Sequence, residues 1–362
     1  MRIVYGVAGE GYGHSSRALT VIPFLQKLGH EVIVLTYKNA YDALKDKFKV
    51  IKIHGIGLVF ADKKLSQSGT VAYNIKNLPK NFFKYKEFQW ILDKFNPDLF
   101  ITDYEPISYL LSIAAAKPVI SIGNHQAMEF YDVDVPLEYK KDYYMVLGIT
   151  KGLTPKADYF IISFFEKLKT GNKTMITVPP IVRDDVRKLK PNKKDKILVY
   201  LNNAEHVLKV LEKIKGEKFI VYGLDKKEKY GNIELKTRES FLKDLEESKA
   251  IIATAGFSLM SEALYLRKPL LAIPLEGQFE QMFNALYLKK SGMGDYCEQV
   301  SEEKVNEFLA NLKNYENKLK KYKPKFGDLY KTLERILNEI SRRKSFTQKV
   351  GEKFEEVRNY LR

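Results

Sequence analysis

One cysteine and one tryptophan occur in 362 residues, and histidine appears only five times. The lone Cys297 excludes an internal disulfide framework and any multi-cysteine metal site, and it suits a reducing cytoplasm. No stretch approaches the roughly 18 apolar residues that a membrane-spanning helix needs. No secretory leader is expected either, because after Arg2 the apolar run Ile3-Val4-Tyr5 stops early at glycines and Glu10. Internal repeats and low-complexity tracts do not stand out. These absences describe a globular cytoplasmic protein that does not cross a membrane.

What the chain has in excess is positive charge. Its 61 Lys and Arg outnumber 45 Asp and Glu, for a net charge of +16. Nucleic acid, an anionic membrane surface or a phosphorylated substrate would each balance that charge. A blander origin is the lysine- and glutamate-rich composition of hyperthermophile proteins. The length suits two domains better than one core.

Strands and helices alternate through the N-terminal half. A buried strand from Arg2 to Val7 runs into the glycine-rich turn Gly9-Glu10-Gly11-Tyr12-Gly13-His14. A helix then begins near Ser15, with Ala18, Val21, Ile22, Leu25 and Leu28 on its apolar face. Further strands are expected from Glu31 to Tyr37, Asp98 to Asp103 and Pro118 to Ile122. After the polar, basic segment from Arg183 to Lys196 the series restarts, with strands at 197–201, 219–222, 250–253 and 269–273. The pattern predicts an α/β fold of two doubly wound parallel-sheet domains facing across a cleft. One of the charged helices after Glu302 is expected to pack back across the cleft onto the first domain.

Three constellations carry chemistry. Glycines between a strand and a helix let backbone approach a ligand, and His14 adds a titratable imidazole at the sheet edge where such folds bind ligands. The spacing G-x-G-x-G departs from the dinucleotide fingerprint. The alternative for His14 is a plain helix cap. Asp103 ends another parallel strand; if the two strands are neighbours, it accepts the imidazole N–H and leaves the other nitrogen as a general base. Glu105 is a substitute base or a substrate contact, while Pro106 also suits Asp103 as the cap of the next helix. In the second half, Gly256 and Ser258 open a helix suited to a diphosphate, and Glu262 one turn on can accept ribose hydroxyls. Glu280 and Gln281 lie on the same edge and can hold sugar hydroxyls.

The run from Gly256 to Glu262, followed by Glu280-Gln281 and Asn284, resembles the donor half of GT-B glycosyltransferases. The MurG-type N-acetylglucosaminyltransferases and the UDP-glucuronosyl/glucosyltransferases are the nearest in pattern. Gly11-Tyr12-Gly13-His14 resembles the G-x-G-H turn at the start of those enzymes, and Gly123-Asn124-His125-Gln126 resembles a second acceptor-side loop. The resemblance implies an inverting transfer from a nucleotide-diphosphate sugar, a UDP-sugar by preference, to a hydroxyl or phosphate. It implies residues 1–180 as acceptor domain, 181–196 as linker, 197–340 as donor domain and 341–362 as a basic helical tail. Glu262 would bind ribose; Gly256, Phe257 and Ser258 the diphosphate; Glu280 and Gln281 the sugar. Arg238 and Phe241 would flank the base, with Gly11, Gly13 and His125 on the acceptor side. His14 would be the base, oriented by Asp103. The chain departs from the MurG pattern at Leu201-Asn202-Asn203-Ala204, where those enzymes carry a glycine-rich loop; Asn202 or Asn203 would do the phosphate work instead. No cofactor or metal is implied. Asp132-Val133-Asp134 spells the D-x-D metal signature of the other glycosyltransferase fold, and its place in the acceptor half marks it as coincidence.

Aromatics alternate with lysines from Lys80 to Trp90, a composition that suits a membrane interface as well as an amphipathic helix packed inward. A lipid-linked acceptor at the inner membrane face therefore fits the charge, and nucleic acid has no recognised binding motif. Nothing in the sequence specifies an oligomer. A non-hydrolysing nucleotide-sugar epimerase and a non-catalytic nucleotide-binding module are the alternatives, distinguished by acceptor-free conversion of donor and by indifference to loss of His14.

Overall fold

The computed structural model describes residues 1–55, 85–201, 205–324 and 326–343, with isolated residues between 60 and 76. Two seven-stranded sheets organise it. The first contains β1 (Arg2–Val7), β2 (Glu31–Thr36), β3 (Lys49–Lys52), β4 (Leu99–Asp103), β5 (Val119–Gly123), β6 (Tyr159–Ser163) and β7 (Met175–Val178). They run parallel in the order β3-β2-β1-β4-β5-β6-β7. The second contains β8 (Ile197–Tyr200), β9 (Phe219–Tyr222), β10 (Glu228–Tyr230), β11 (Ile233–Leu235), β12 (Ala250–Thr254), β13 (Leu270–Ile273) and β14 (Gly294–Tyr296). Its order is β10-β11-β9-β8-β12-β13-β14, parallel except for the β10–β11 pair.

Burial on both faces explains the apolar runs. Along β1, Ile3, Tyr5 and Val7 enter one core cluster and Val4 enters another on the opposite face. Val199 and Leu198 of β8 divide in the same way. The order reverses between β1 and β4 in the first sheet and between β8 and β12 in the second. Crevices for ligands open at such switch points, at the C-terminal ends of the strands.

The back of the cleft is apolar. Met128, Phe164 and Phe165 of the first domain share one core with Phe257, Met260, Phe279, Phe283 and Tyr287 of the second. The last described helix, residues 329–343, buries Leu329, Leu333, Ile336, Leu337 and Ile340 against Ile3, Tyr5, Val21 and Leu25. The chain thus returns to the first domain, and residues 329–340 belong to its core rather than to the span 197–340 read from sequence. Among the described residues no helix is long and apolar enough to cross a membrane.

Candidate active site

The loop after β1 leads into α1 (Gly13–Lys27), which places His14 in the first turn. Gly11 turns the loop with φ +67, a left-handed conformation that favours glycine. Neighbouring β4 pairs Asp103 with Val7 of β1, so the carboxylate emerges beside His14. Asp103 Oδ1 lies 2.7 Å from His14 Nδ1. An acceptor-only carboxylate at that distance places the imidazole proton on Nδ1 and leaves Nε2 with its lone pair.

Asp103 has a second partner, Arg17, which the sequence reading missed. One turn along α1 from His14, its Nε donates to Oδ2 at 2.6 Å and its Nη2 to Oδ1 at 2.7 Å. Both residues are buried, at 4% and 0% exposure. Burial pushes the Asp103 carboxyl up, but Arg17 and then His14 outweigh it and hold the group at about 2. His14 is therefore backed by an ion pair. The i, i+3 spacing from His14 was the available signal.

Glu105 is placed otherwise than the sequence suggested. It is the N-cap of α2 (Pro106–Ala114), accepting from the backbone N–H of Ile107 at 2.8 Å and Ser108 at 2.7 Å. Those bonds turn both carboxylate oxygens to the helix start in a fully buried place, where the residue caps the helix. Asp103, the other candidate cap, is the last residue of its strand.

Next to His14 the aromatic rings are layered. Tyr104, held at φ +56, stacks on His125 with centroids 3.9 Å apart, and the His125 ring lies 5.7 Å from that of His14. Asn124 and His125 follow β5 and reach across the cleft to Glu280, in the first turn of the helix Phe279–Ser291. Asn124 Nδ2 donates to Oε1 at 2.8 Å, and His125 Nε2 lies 3.0 Å from Oε2. Burial raises the Glu280 carboxyl, yet His125, Asn124 and His14 together hold it at about 2. Gln281 is turned away from this contact. Its Oε1 accepts from Leu275 N at 3.1 Å and its Nε2 donates to Gln278 at 2.8 Å, so its amide braces its own loop.

Across the cleft from α1 stands α3 (Phe257–Tyr265), capped by Gly256 without a side-chain hydrogen bond. Among the described residues, a Cβ on Gly256 would meet nothing within 4 Å. The two helix starts nearly touch: a Cβ on Gly13 would stand 3.1 Å from Ser258 Oγ. Phe257 differs from expectation in its side chain, which packs on Phe165 in the shared core at 4.9 Å; only its backbone belongs to the helix start. Asn284 Nδ2 donates to Ala255 O at 2.9 Å and steadies the approach to this turn.

Glu262, 5% exposed, is paired with Arg183, whose Nε donates at 2.7 Å and Nη2 at 3.3 Å. Burial pushes its carboxyl up in spite of Arg183. The segment read as a linker thus supplies the partner of Glu262, and sequence held no signal for it. Exposed Arg238 lays its guanidinium 4.2 Å from the centre of the Tyr12 ring, joining the second domain to the glycine loop. Phe241 is half-buried edge-on against Tyr200 and Tyr222. Asn202 and Asn203 lie outside the described residues, as do residues 80–84 of the lysine–aromatic segment. Within its described part, Phe88 packs inward and Lys49 covers the Trp90 ring at 4.9 Å. The carbonyl of Asp132 takes Lys290 Nζ at 2.7 Å, a link between the domains.

A family model described as glycosyl transferase family 1 matches residues 1–313. A Methanosarcina mazei protein described as an uncharacterized glycosyltransferase is 25% identical over 365 residues, covering 89% of this chain and 93% of that protein. A UDP-N-acetylglucosamine–N-acetylmuramyl-(pentapeptide) pyrophosphoryl-undecaprenol N-acetylglucosamine transferase from Clostridium perfringens is 26% identical, covering 87% and 90%. Among solved structures, the calicheamicin glycosyltransferase matches with TM-score 0.64 at 15% identity, covering 89% of this chain and 93% of that one. Spinosyn rhamnosyltransferase complexed with thymidine diphosphate matches with TM-score 0.60 at 13% identity, covering 89% and 95%. At such identities the solved structures bear on the fold, which is that of two-domain GT-B enzymes.

Proposed function

The chain belongs to glycosyl transferase family 1, and from that premise we propose that it moves a sugar, with inversion, from a UDP-sugar to an acceptor hydroxyl or phosphate. The observation that carries this reading is the near contact of two half-sites. The His14–Asp103–Arg17 group at the start of α1 lies across from the start of α3, whose glycine cap makes no side-chain hydrogen bond, with Gly13 and Ser258 at the point of approach.

Each half has its task. The donor diphosphate lies at the start of α3, where unpaired N–H groups and the positive end of the helix dipole offset the charge that develops as it leaves. Glu262 and Arg183 form the wall that takes the ribose, and Phe241 with Arg238 flanks the base. His14 Nε2 removes the proton of the acceptor. The freed oxygen then attacks the anomeric carbon as its bond to the diphosphate breaks. The new imidazolium is stabilised by Asp103, which Arg17 keeps ionised. No metal enters this scheme; the helix start takes that role.

The acceptor is proposed to be lipid-linked and met at the inner membrane face. Leu110 and Ile113 of α2, Leu137, and Tyr144 and Ile149 of the helix Lys140–Leu153 are exposed large apolar side chains on the acceptor domain. The relative from Clostridium perfringens is named for a undecaprenol-linked acceptor and a UDP donor. The solved relative with thymidine diphosphate makes TDP the competing donor base.

Calorimetric titration of UDP, TDP, GDP and several UDP-sugars into wild type and Glu262→Ala tests the donor site. UDP is expected to bind best, weakened about tenfold or more by the substitution, the effect of losing a charged hydrogen bond of about 1.5–3 kcal/mol. Failure of every nucleotide to bind, or indifference to the substitution, would overturn the reading.

A further inference from the structure

Glu280 and Asn124 stand 156 residues apart in sequence and on opposite sides of the cleft, as do Glu280 and the adjacent His125. Both carboxylate oxygens are engaged, Oε1 by Asn124 Nδ2 and Oε2 by His125 Nε2. His125 is 5% exposed, and among the described residues its Nδ1 has no hydrogen-bond partner. A carboxylate accepts only, so the ring proton sits on Nε2, facing Glu280. Tyr104 fixes the plane of that ring from below by stacking at 3.9 Å.

We propose that His125, aided by Asn124, is a positioning residue that holds Glu280 ready for the donor sugar, so that sugar recognition is completed by the acceptor domain. This rests on the donor reading given above. Each carboxylate oxygen offers about two lone-pair positions. With one filled by Nδ2 and the other oxygen's by Nε2, one remains on each oxygen to accept from hydroxyls of a sugar. An unheld glutamate would lose rotamer freedom on gripping the sugar; here the loss is met before the ligand arrives.

Two consequences follow. The nucleotide part of the donor, held by Glu262 and α3, needs no help from the first domain. The sugar is gripped in full only when the cleft is shut, because the groups that orient Glu280 belong to the other domain. The low carboxyl of Glu280 supports this, since it stays ionised and purely accepting throughout the neutral range. His125 touches no reacting atom in this scheme.

The test uses the full chain as wild type, His125→Ala, His125→Gln, Glu280→Gln and the double variant His125→Ala/Glu280→Gln. Calorimetry reads the Kd of UDP and of the epimeric pair UDP-glucose and UDP-galactose. UDP is expected to bind all five proteins within about twofold. The wild-type preference between the epimers should fall about tenfold in His125→Ala and equally in Glu280→Gln, with no further loss in the double variant. His125→Gln, which keeps an N–H donor, should retain most of the preference. Parallel weakening of UDP itself would mark a merely structural link and overturn the proposal. So would multiplied losses in the double variant, or a wild type with no preference between epimers. A wild type that binds no nucleotide would instead bring down the donor reading and this inference together.

Discussion

Replacing Arg17 by Leu deletes both hydrogen bonds that Asp103 receives from the guanidinium, at 2.6 and 2.7 Å. A fully buried carboxylate is left beside one imidazole. Breaking a buried pair by removing one partner costs about 3–5 kcal/mol. Asp103 escapes part of that cost by taking up a proton, because burial pushes its carboxyl up once Arg17 no longer holds it down. The protonated acid is a poor acceptor for the Nδ1–H of His14, and the base loses its tautomer and its orientation. General-base catalysis is worth about 10²–10⁴ in rate, so turnover should fall by that order. Urea unfolding reads the stability, and release of nucleoside diphosphate reads the turnover. The double variant Arg17→Leu/Asp103→Leu separates the two effects. Exchanging a buried ion pair for apolar side chains is often neutral, so its stability should return to within about 1 kcal/mol of wild type. Its turnover should stay low. An Arg17→Leu protein as stable as wild type, or a double variant that regains turnover, refutes the reasoning.

Two further outcomes are expected. Burial pushes the Glu105 carboxyl up to about 7, against the opposing N–H groups of Ser108 and Ile107. A folded value above the unfolded 4.5 means that the folded chain binds more protons between the two, so this residue's contribution to stability is lost as pH rises from about 4.5 to about 7. At 1.36 kcal/mol per unit the slope amounts to roughly 3 kcal/mol at most, and Glu105→Gln should remove it; urea midpoints at pH 5 and 7.5 that decline equally in both proteins contradict this. Arg183→Met leaves Glu262 buried without its counter-charge and raises its carboxyl further. UDP binding by that variant, measured by calorimetry, should weaken more at pH 6 than at pH 8, and an equal loss at both would show that Glu262 does not depend on Arg183.

Much of the central fold was legible because strands buried on both faces read as short apolar runs. β1, β4 and β9 are of this kind, and their limits differ little from those expected. The edge strands were not legible. β3 is Lys-Val-Ile-Lys with two exposed ends, and β10 is Glu-Lys-Tyr, which owes its conformation to the partner beside it. The His14–Asp103 pair was within reach, since both residues end elements that a parallel sheet brings to one edge. The helix-capping role of Glu105 was not. Either carboxylate suits a helix opened by Pro106, and only the strand register decides which one is left to turn toward His14. Arg183 and the Asn124–Glu280 contact depend on partners 79 and 156 residues away, a proximity that local pattern does not encode.

The central claim is that one domain holds the donor while His14 of the other removes the acceptor proton. Its most direct test is the pair wild type and His14→Asn, with the Kd of the preferred UDP-sugar and the rate of UDP release measured on each. Binding unchanged within about twofold, with turnover reduced about 10²–10⁴, is the predicted result. Full turnover in His14→Asn, or a loss confined to donor binding, would contradict the account.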